Sequence, residues 1–316
     1  MHRCYVARRN LRKLNGILLL DKPVGASSNQ VLQDARFLYQ AAKAGHTGSL
    51  DPLASGMLPV CFGEATKVST FLLDADKHYL TTAQLGALSD TGDAEGQLSS
   101  QQAVPTLSVE LIEAVLQAFR GEIQQIPPMY SALKKDGQPL YKLARQGVEV
   151  ERQPRTVMIH ELTLQDYTAT TLSLSVRCSK GTYIRTLVED IGQALGCGAY
   201  VAMLRRTEVD PFNGLPMYTP GELRRRLDEQ GQTALDALLL PLDRALPHLP
   251  VLTLKAEHLQ RLRQGQRLSV REFAELLPET VLAQGGLVRV YDPAEVFAGL
   301  CEISGTALKP KRLLVY

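Results

Sequence analysis

The segment Gly45-His46-Thr47-Gly48-Ser49-Leu50-Asp51-Pro52-Leu53-Ala54-Ser55-Gly56 concentrates the residue types that could do chemistry. It holds one carboxylate, Asp51, with glycines on either side. Glycine has no Cβ and lets a ligand come close to the backbone. Pro52 fixes the chain just after Asp51 and biases Asp51 itself toward an extended conformation. The segment therefore presents a single carboxylate from a stiff loop. An Asp-Pro dipeptide alone is also an ordinary turn, so its chemistry depends on what surrounds it. Other chemistries lack their signatures. There is no G-x-x-x-x-G-K-[ST] phosphate loop and no G-x-S-x-G nucleophile elbow. The five cysteines (Cys4, Cys61, Cys178, Cys197, Cys301) are scattered, with no C-x-x-C, and no metal-ligand cluster stands out. That argues against a disulfide scaffold or structural zinc and fits a reducing cytosol.

The elements that must position Asp51 alternate in type. Leu14–Leu20 reads as a buried strand, ended by the turn signal Asp21-Lys22-Pro23-Val24-Gly25. Ser27 or Ser28 can cap a helix with Val31, Leu32, Ala35, Leu38 and Tyr39 on one face. Six glycines and prolines between residues 45 and 63 predict an ordered loop there. Tyr79–Leu85 reads as a strand. Ser108 can cap a helix through Leu111, Ile112, Val115, Leu116 and Phe119, stopped by Gly121. Leu140–Gln146 reads as a short helix. Leu172–Cys178 alternates as a half-buried strand, followed by a helix carrying Ile184, Leu187, Val188, Ile191 and Leu195. The mixture has no regular βαβ repeat, which favours α+β over a doubly wound sheet. Pro241, Pro247 and Pro250 mark a linker. Beyond it come a short helix (Ala256–Gln264) and β-prone runs at Thr280–Ala283, Leu287–Tyr291, Val296–Ile303 and Arg312–Tyr316, which suggest a small β-barrel.

The 316 residues suffice for two domains. No apolar run approaches the roughly 20 residues that span a bilayer, and no secretory signal is visible at the N-terminus. The net charge of +2 is a poor sign of a nucleic-acid binder, but it is unevenly spread. Residues 1–70 carry nine Lys/Arg and four Asp/Glu, beginning with Arg3, Arg8, Arg9, Arg12 and Lys13. Residues 71–119 carry one and seven, and residues 120–206 carry twelve and eight. Two basic blocks thus flank an acidic one, which is expected to face away from any polyanion.

Several segments together resemble the TruB family of tRNA pseudouridine synthases. The loop at residues 45–56 resembles the family's uridine-site loop. Asn15-Gly16-Ile17-Leu18-Leu19-Leu20-Asp21-Lys22-Pro23-Val24-Gly25 resembles its opening motif. Gly63-Glu64-Ala65-Thr66-Lys67, Asp76-Lys77-His78-Tyr79, Ile126-Pro127-Pro128-Met129-Tyr130-Ser131-Ala132-Leu133-Lys134 and Tyr141-Lys142-Leu143-Ala144-Arg145-Gln146-Gly147 follow in order. Cys178-Ser179-Lys180-Gly181-Thr182-Tyr183-Ile184-Arg185-Thr186 and Leu204-Arg205-Arg206 close the series. The resemblance covers about residues 14–210 and is weaker after residue 250.

It implies an α+β pseudouridine-synthase domain at 14–247, with a mixed, mainly antiparallel sheet flanked by helices. A small PUA-type RNA-binding β-barrel is implied at 250–316, and a basic arm at 1–13. It implies isomerisation of the T-loop uridine at position 55 of tRNA, with no cofactor and no metal. Asp51 matches the family's nucleophile. Arg185 matches its basic partner, which keeps the carboxylate ionised and oriented. Tyr79 matches the tyrosine that stacks on the uracil and takes a proton. Tyr183 and Leu204 match residues lining the uracil pocket, and His46 the histidine that holds the extruded nucleotide. Lys22 is expected to support the loop and to bind substrate there, and Lys67 and Lys180 to meet RNA phosphates. The expected partner is the tRNA T-stem-loop alone, bound by a cytoplasmic monomer without membrane, guide RNA or obligatory protein. A guide-RNA-dependent relative and a tRNA-folding factor are the alternatives. Attack at C1′ and attack on the uracil ring both stay open.

Overall fold

The computed structural model describes residues 11–99 and 101–315. Strand β1 (Gly16–Lys22) leads into helix α1 (Ser28–Leu38), then β2 (Ala44–His46) and β3 (Ser55–Phe62). Helix α2 (Ser69–Leu73) precedes β4 (Lys77–Leu85) and the small hairpin of β5 (Leu88–Ser89) and β6 (Leu98–Ser99). Next come α3 (Val109–Gln117) and β7 (Gly121–Gln125). A stretch of short pieces follows: β8 (Lys134–Lys135), β9 (Gln138–Pro139) and α4 (Leu140–Ala144). Long strands β10 (Arg155–Tyr167) and β11 (Thr171–Cys178) then lead to α5 (Ile184–Ala194), β12 (Ala199–Val209) and α6 (Pro220–Asp236). The last part holds β13 (Val251–Thr253), α7 (Ala256–Arg263), β14 (Leu268–Ser269), α8 (Glu279–Gln284), β15 (Gly286–Tyr291), β16 (Phe297–Ser304) and β17 (Ala307–Leu313).

One eight-stranded sheet dominates, in the order β1-β3-β12-β4-β11-β10-β7, with β2 paired to β3. Its pairs are antiparallel except β12 with β3, so the sheet is mixed and mainly antiparallel. Helix α5 packs its apolar stripe (Ile184, Leu187, Val188, Ile191) with α3 residues Ile112 and Leu116 against the sheet residues Leu172, Leu174 and Val176. On the other flank, α1 and α6 pack on β1 and β3. Ser27 caps α1 by accepting from the Gln30 N–H, and Ser108 caps α3 by accepting from the Leu111 N–H. Both caps match the sequence expectation.

The structure corrects three expectations. Residues 55–62, expected in the loop, form the buried central strand β3. Gly56 is needed there because β12 lies against it: a Cβ would sit 2.1 Å from the Arg206 carbonyl oxygen, at φ +100°. Pro59 is tolerated because its carbonyl accepts from Thr47. Its missing N–H points the same way, toward the loop rather than toward β1. Residues 280–283, read as a strand, lie in helix α8, and the final strand is β17, ending at Leu313. The proline-marked linker is a packed joint. Leu242, Ala245 and Leu246 are buried in one cluster with Ile17, Leu19, Met57 and Phe212, and with Phe297, Leu300 and Leu314 from the last part. Most of the basic arm expected at 1–13 lies outside the described residues; within them, Arg12 bonds to α6, with Nη1 3.0 Å from Asp236 Oδ1.

The last part is a five-stranded sheet in the order β13-β15-β16-β17-β14. It surrounds its own core of Leu252, Leu259, Leu262, Val288, Val290 and Ile303.

Candidate active site

The loop at residues 47–54 is held from below by the turn between β1 and α1. Ser28 Oγ exchanges hydrogen bonds with Leu50, accepting from its N–H at 2.8 Å and donating to its carbonyl at 3.0 Å. The Gly25 N–H donates to the Pro52 carbonyl at 2.8 Å. Lys22, fully buried, donates from Nζ to the carbonyls of Ala26 (2.6 Å), Pro23 (2.9 Å) and Pro52 (3.2 Å). It acts as a cross-brace between the two segments. Lys22 was also expected to bind substrate, but its ammonium is spent on these carbonyls and it does not line the cavity. The Ala54 N–H closes the turn on the Asp51 carbonyl at 3.1 Å. Asp51 is thereby set at the mouth of a cavity of about 440 Å³.

Arg185 enters from the first turn of α5. The start of that helix is fixed by Gln125, whose amide donates to the Tyr183 carbonyl (3.1 Å) and accepts from the Tyr183 N–H (2.8 Å). Arg185 Nε then lies 3.0 Å from Asp51 Oδ2. Its other donors reach the Thr91 carbonyl at 2.7 Å and the Tyr130 carbonyl at 2.6 Å. Asp93 Oδ2 stands 3.8 Å from Nη1, itself buried and bonded to the Thr91 hydroxyl. One buried guanidinium thus collects three segments distant in sequence. Fixing all its donors orients the one aimed at Asp51.

The cavity wall includes His46, Tyr79, Tyr183 and Leu204, so the structure brings these expected residues to Asp51 and Arg185. Lys67 is not brought there. Its ammonium is committed to Glu64 (2.6 Å) and the Leu313 carbonyl (3.0 Å), where the two parts of the chain meet. Lys180 sits beside the cavity residues Ser179 and Gly181 but is exposed, 3.0 Å from the equally exposed Asp74.

Four neighbours of the site were not singled out from sequence. Arg206 and Lys77 line the cavity, Tyr130 contributes its carbonyl, and Asp93 stands behind Arg185. Asp93 and Thr91 belong to the acidic block, so that block does not face wholly away; it forms the seat of the arginine. A signal for Arg206 was present: in a strand, residues two apart share a face, and Leu204 faces the buried side.

Charge and burial act against each other here. Burial pushes the Asp51 carboxyl above its ordinary range, and the nearby Asp93 adds to this, while Arg185 and Lys22 oppose it. Burial lowers the Lys22 ammonium to about 8, despite the opposing charge of Asp51. Lys77 is also lowered to about 8, by burial and then by Arg206. Burial and Arg206 lower His46. The site can therefore hold an oriented carboxylate and an aromatic wall in a cation-rich pocket.

Comparison with known proteins agrees with this arrangement. Residues 36–184 match the TruB family pseudouridylate synthase N-terminal domain. Residues 185–247 match the tRNA pseudouridylate synthase B C-terminal domain, and 250–314 the C-terminal part of pseudouridine synthase II TruB. The tRNA pseudouridine synthase B of Ectopseudomonas mendocina (strain ymp) is 52% identical over 98% of both chains. That of Haemophilus influenzae (strain 86-028NP) is 48% identical over 97% of both. Among solved structures, a chain of a Cbf5-Nop10-Gar1 complex shares the fold with a TM-score of 0.70 and 27% identity, covering 95% of this chain and 84% of that one. At about half identity over nearly its whole length, this chain belongs to the TruB family of pseudouridine synthases.

Proposed function

We propose that this protein isomerises a uridine of tRNA to pseudouridine, at position 55 in the T-loop, with Asp51 as nucleophile. The observation that carries the reading is the Asp51–Arg185 pair, 3.0 Å apart, at a cavity walled by Tyr79, Tyr183 and Leu204. The reaction exchanges the bond from C1′ to N1 for one from C1′ to C5. C5 loses a proton and N1 gains one, so atoms and electrons balance with no cofactor. Asp51 attacks, Arg185 keeps it ionised and aimed, and Tyr79 stacks on the base and accepts the C5 proton. A cavity of about 440 Å³ is ample for one base. Extruding that base from the folded loop costs about a few kcal/mol, and stacking on an aromatic ring returns about 1–3 kcal/mol.

His46 holds the extruded nucleotide, and the exposed Lys180 meets phosphate. The last part, 250–314, is a PUA-type barrel that adds tRNA affinity. Curated relatives about half identical to this chain are named for tRNA, which favours tRNA over a guide-RNA target. The enzyme works as a cytoplasmic monomer without guide RNA or partner protein.

Purified protein should release tritium from tRNA labelled at C5 of uridine, with nothing else added. Asp51→Asn should still bind tRNA yet release none; turnover by that variant, free of deamidation, rejects Asp51 as nucleophile.

A further inference from the structure

Arg206 is 2% exposed, and among the described residues no carboxylate pairs with it. Burying a guanidinium without an acid is costly, so its surroundings bear on why it is there. Its Nε donates to the Met57 carbonyl at 2.7 Å and Nη2 to the Gly48 carbonyl at 3.1 Å. These bonds hold the side chain along the base of the cavity. Across the β12–β4 ladder, Arg206 is the direct partner of Tyr79, and both residues line the cavity. Directly opposed residues of an antiparallel pair bring their side chains together on one face. The uncompensated cation is therefore set against the Tyr79 phenol of the cavity wall.

We propose that Arg206 is a positioning residue for the isomerisation, acting through Tyr79: its guanidinium holds and stabilises the Tyr79 phenolate that takes the proton from C5 of the uracil. This rests on the uridine-isomerase reading above. Once C1′ is bonded to C5, that carbon carries both C1′ and a hydrogen. The C5–H bond breaks, its electron pair restores the C5–C6 double bond while the C6–N1 double-bond pair moves onto N1, and the proton passes to the Tyr79 oxygen. Tyr79 later returns that proton to solvent, and N1 takes one up from solvent.

Burial holds the Tyr79 phenol above its ordinary value and Asp51 on the loop adds to this; Arg206 opposes both by charge and by hydrogen bonding, and the neutral Cys178 thiol on β11 lies nearby. The other charged or titratable groups around this pair are Lys77 on β4, Arg185 on α5, His46 on β2 and Lys22 on β1. Among the cavity cations, Arg206 is the one opposite Tyr79 in the ladder.

The test is single-turnover tritium release against pH for the wild type, Arg206→Met and Arg206→Lys, each also in a Tyr79→Phe background. The wild-type rate is expected to rise with pH. Arg206→Met should move that rise upward by about one pH unit, a loss of about tenfold near neutrality, and Arg206→Lys should recover most of it. In the slow Tyr79→Phe background, Arg206→Met should change the rate less than about twofold. A loss of equal size at every pH, or one that persists in full without the phenol, overturns the proposal. If the Arg206 variants melt below the assay temperature, 3,5-difluorotyrosine at position 79 of the otherwise intact chain decides. Its more acidic phenol must move the rise to lower pH, and an unmoved profile overturns the proposal. Absence of tritium release by the wild type would instead defeat the isomerase reading itself.

Discussion

Replacing Arg185 by lysine keeps a positive charge and removes the fork. Three acceptors surround the guanidinium: Asp51 Oδ2 at 3.0 Å, the Thr91 carbonyl at 2.7 Å and the Tyr130 carbonyl at 2.6 Å. They belong to three separate segments and are met by three different nitrogens. A lysine ammonium is one point at the end of a flexible stem and cannot span them. If it follows Asp51, the two carbonyls lose a charged donor, worth about 1.5–3 kcal/mol each. The total, about 3–6 kcal/mol, divides between fold and site. If half of it falls on the aim of Asp51, the single-turnover rate drops about 10-fold to 140-fold, at about 1.4 kcal/mol per tenfold. Arg185→Met should behave differently. Without the cation, burial and Asp93 raise the Asp51 carboxyl further, with less to oppose them. Less of it is then ionised at a given pH, so the residual activity of Arg185→Met should climb as pH rises. Tritium release with enzyme in excess measures the rate, and filter binding of tRNA separates affinity. A lysine variant within twofold of wild type would refute the role given to the fork. A methionine variant whose deficit does not change with pH would refute the electrostatic part.

Two further outcomes follow from buried polar groups. Gln125→Leu leaves the Tyr183 N–H without a partner, at about 1–3 kcal/mol, while the carbonyl keeps the Leu187 N–H. Urea unfolding should show a loss of about 1–3 kcal/mol together with slower turnover, since Tyr183 starts the helix that carries Arg185; a loss under about 0.5 kcal/mol would contradict this. Lys77 titrates near 8 when folded and at 10.5 by its ordinary value. Between those values the unfolded chain binds more protons, so this residue's contribution to stability rises with pH. Relative to Lys77→Met, the wild type should gain about 2 kcal/mol between about pH 7.5 and 9.5. Urea titrations of both proteins at the two pH values measure it, and an unchanged difference would mean that Lys77 is not charged and buried as the structure has it.

Much of this protein was legible in its sequence because the relevant physics is local. Ser27 and Ser108 cap helices through bonds that span three residues. The stripe Ile184, Leu187, Val188 and Ile191 needs only the helical period to find the core. The glycines and proline around Asp51 mark a stiff loop with one carboxylate, and ordered motifs from residue 14 to about 210 identified the family. What sequence could not supply came from long-range contact. Gly56 and Pro59 normally interrupt strands, yet β12 must lie close against Gly56, and the missing N–H of Pro59 faces the 47–54 loop rather than β1, so the segment is an interior strand. Prolines 241, 247 and 250 suggested a free linker, but the hydrophobic surfaces of both parts close over the residues between them. The acidic block appeared to belong elsewhere until Thr91 and Asp93 were found behind Arg185. Net charge over a segment averages residues that the fold sends to different faces. The Asp51–Arg185 pair shows the division most plainly. Asp51 and Arg185 can each be named from their own neighbours in sequence. Their 3.0 Å contact, and the Thr91 and Tyr130 carbonyls that hold it, exist only because a buried guanidinium must find acceptors in space, and the tertiary structure alone decides which ones it finds.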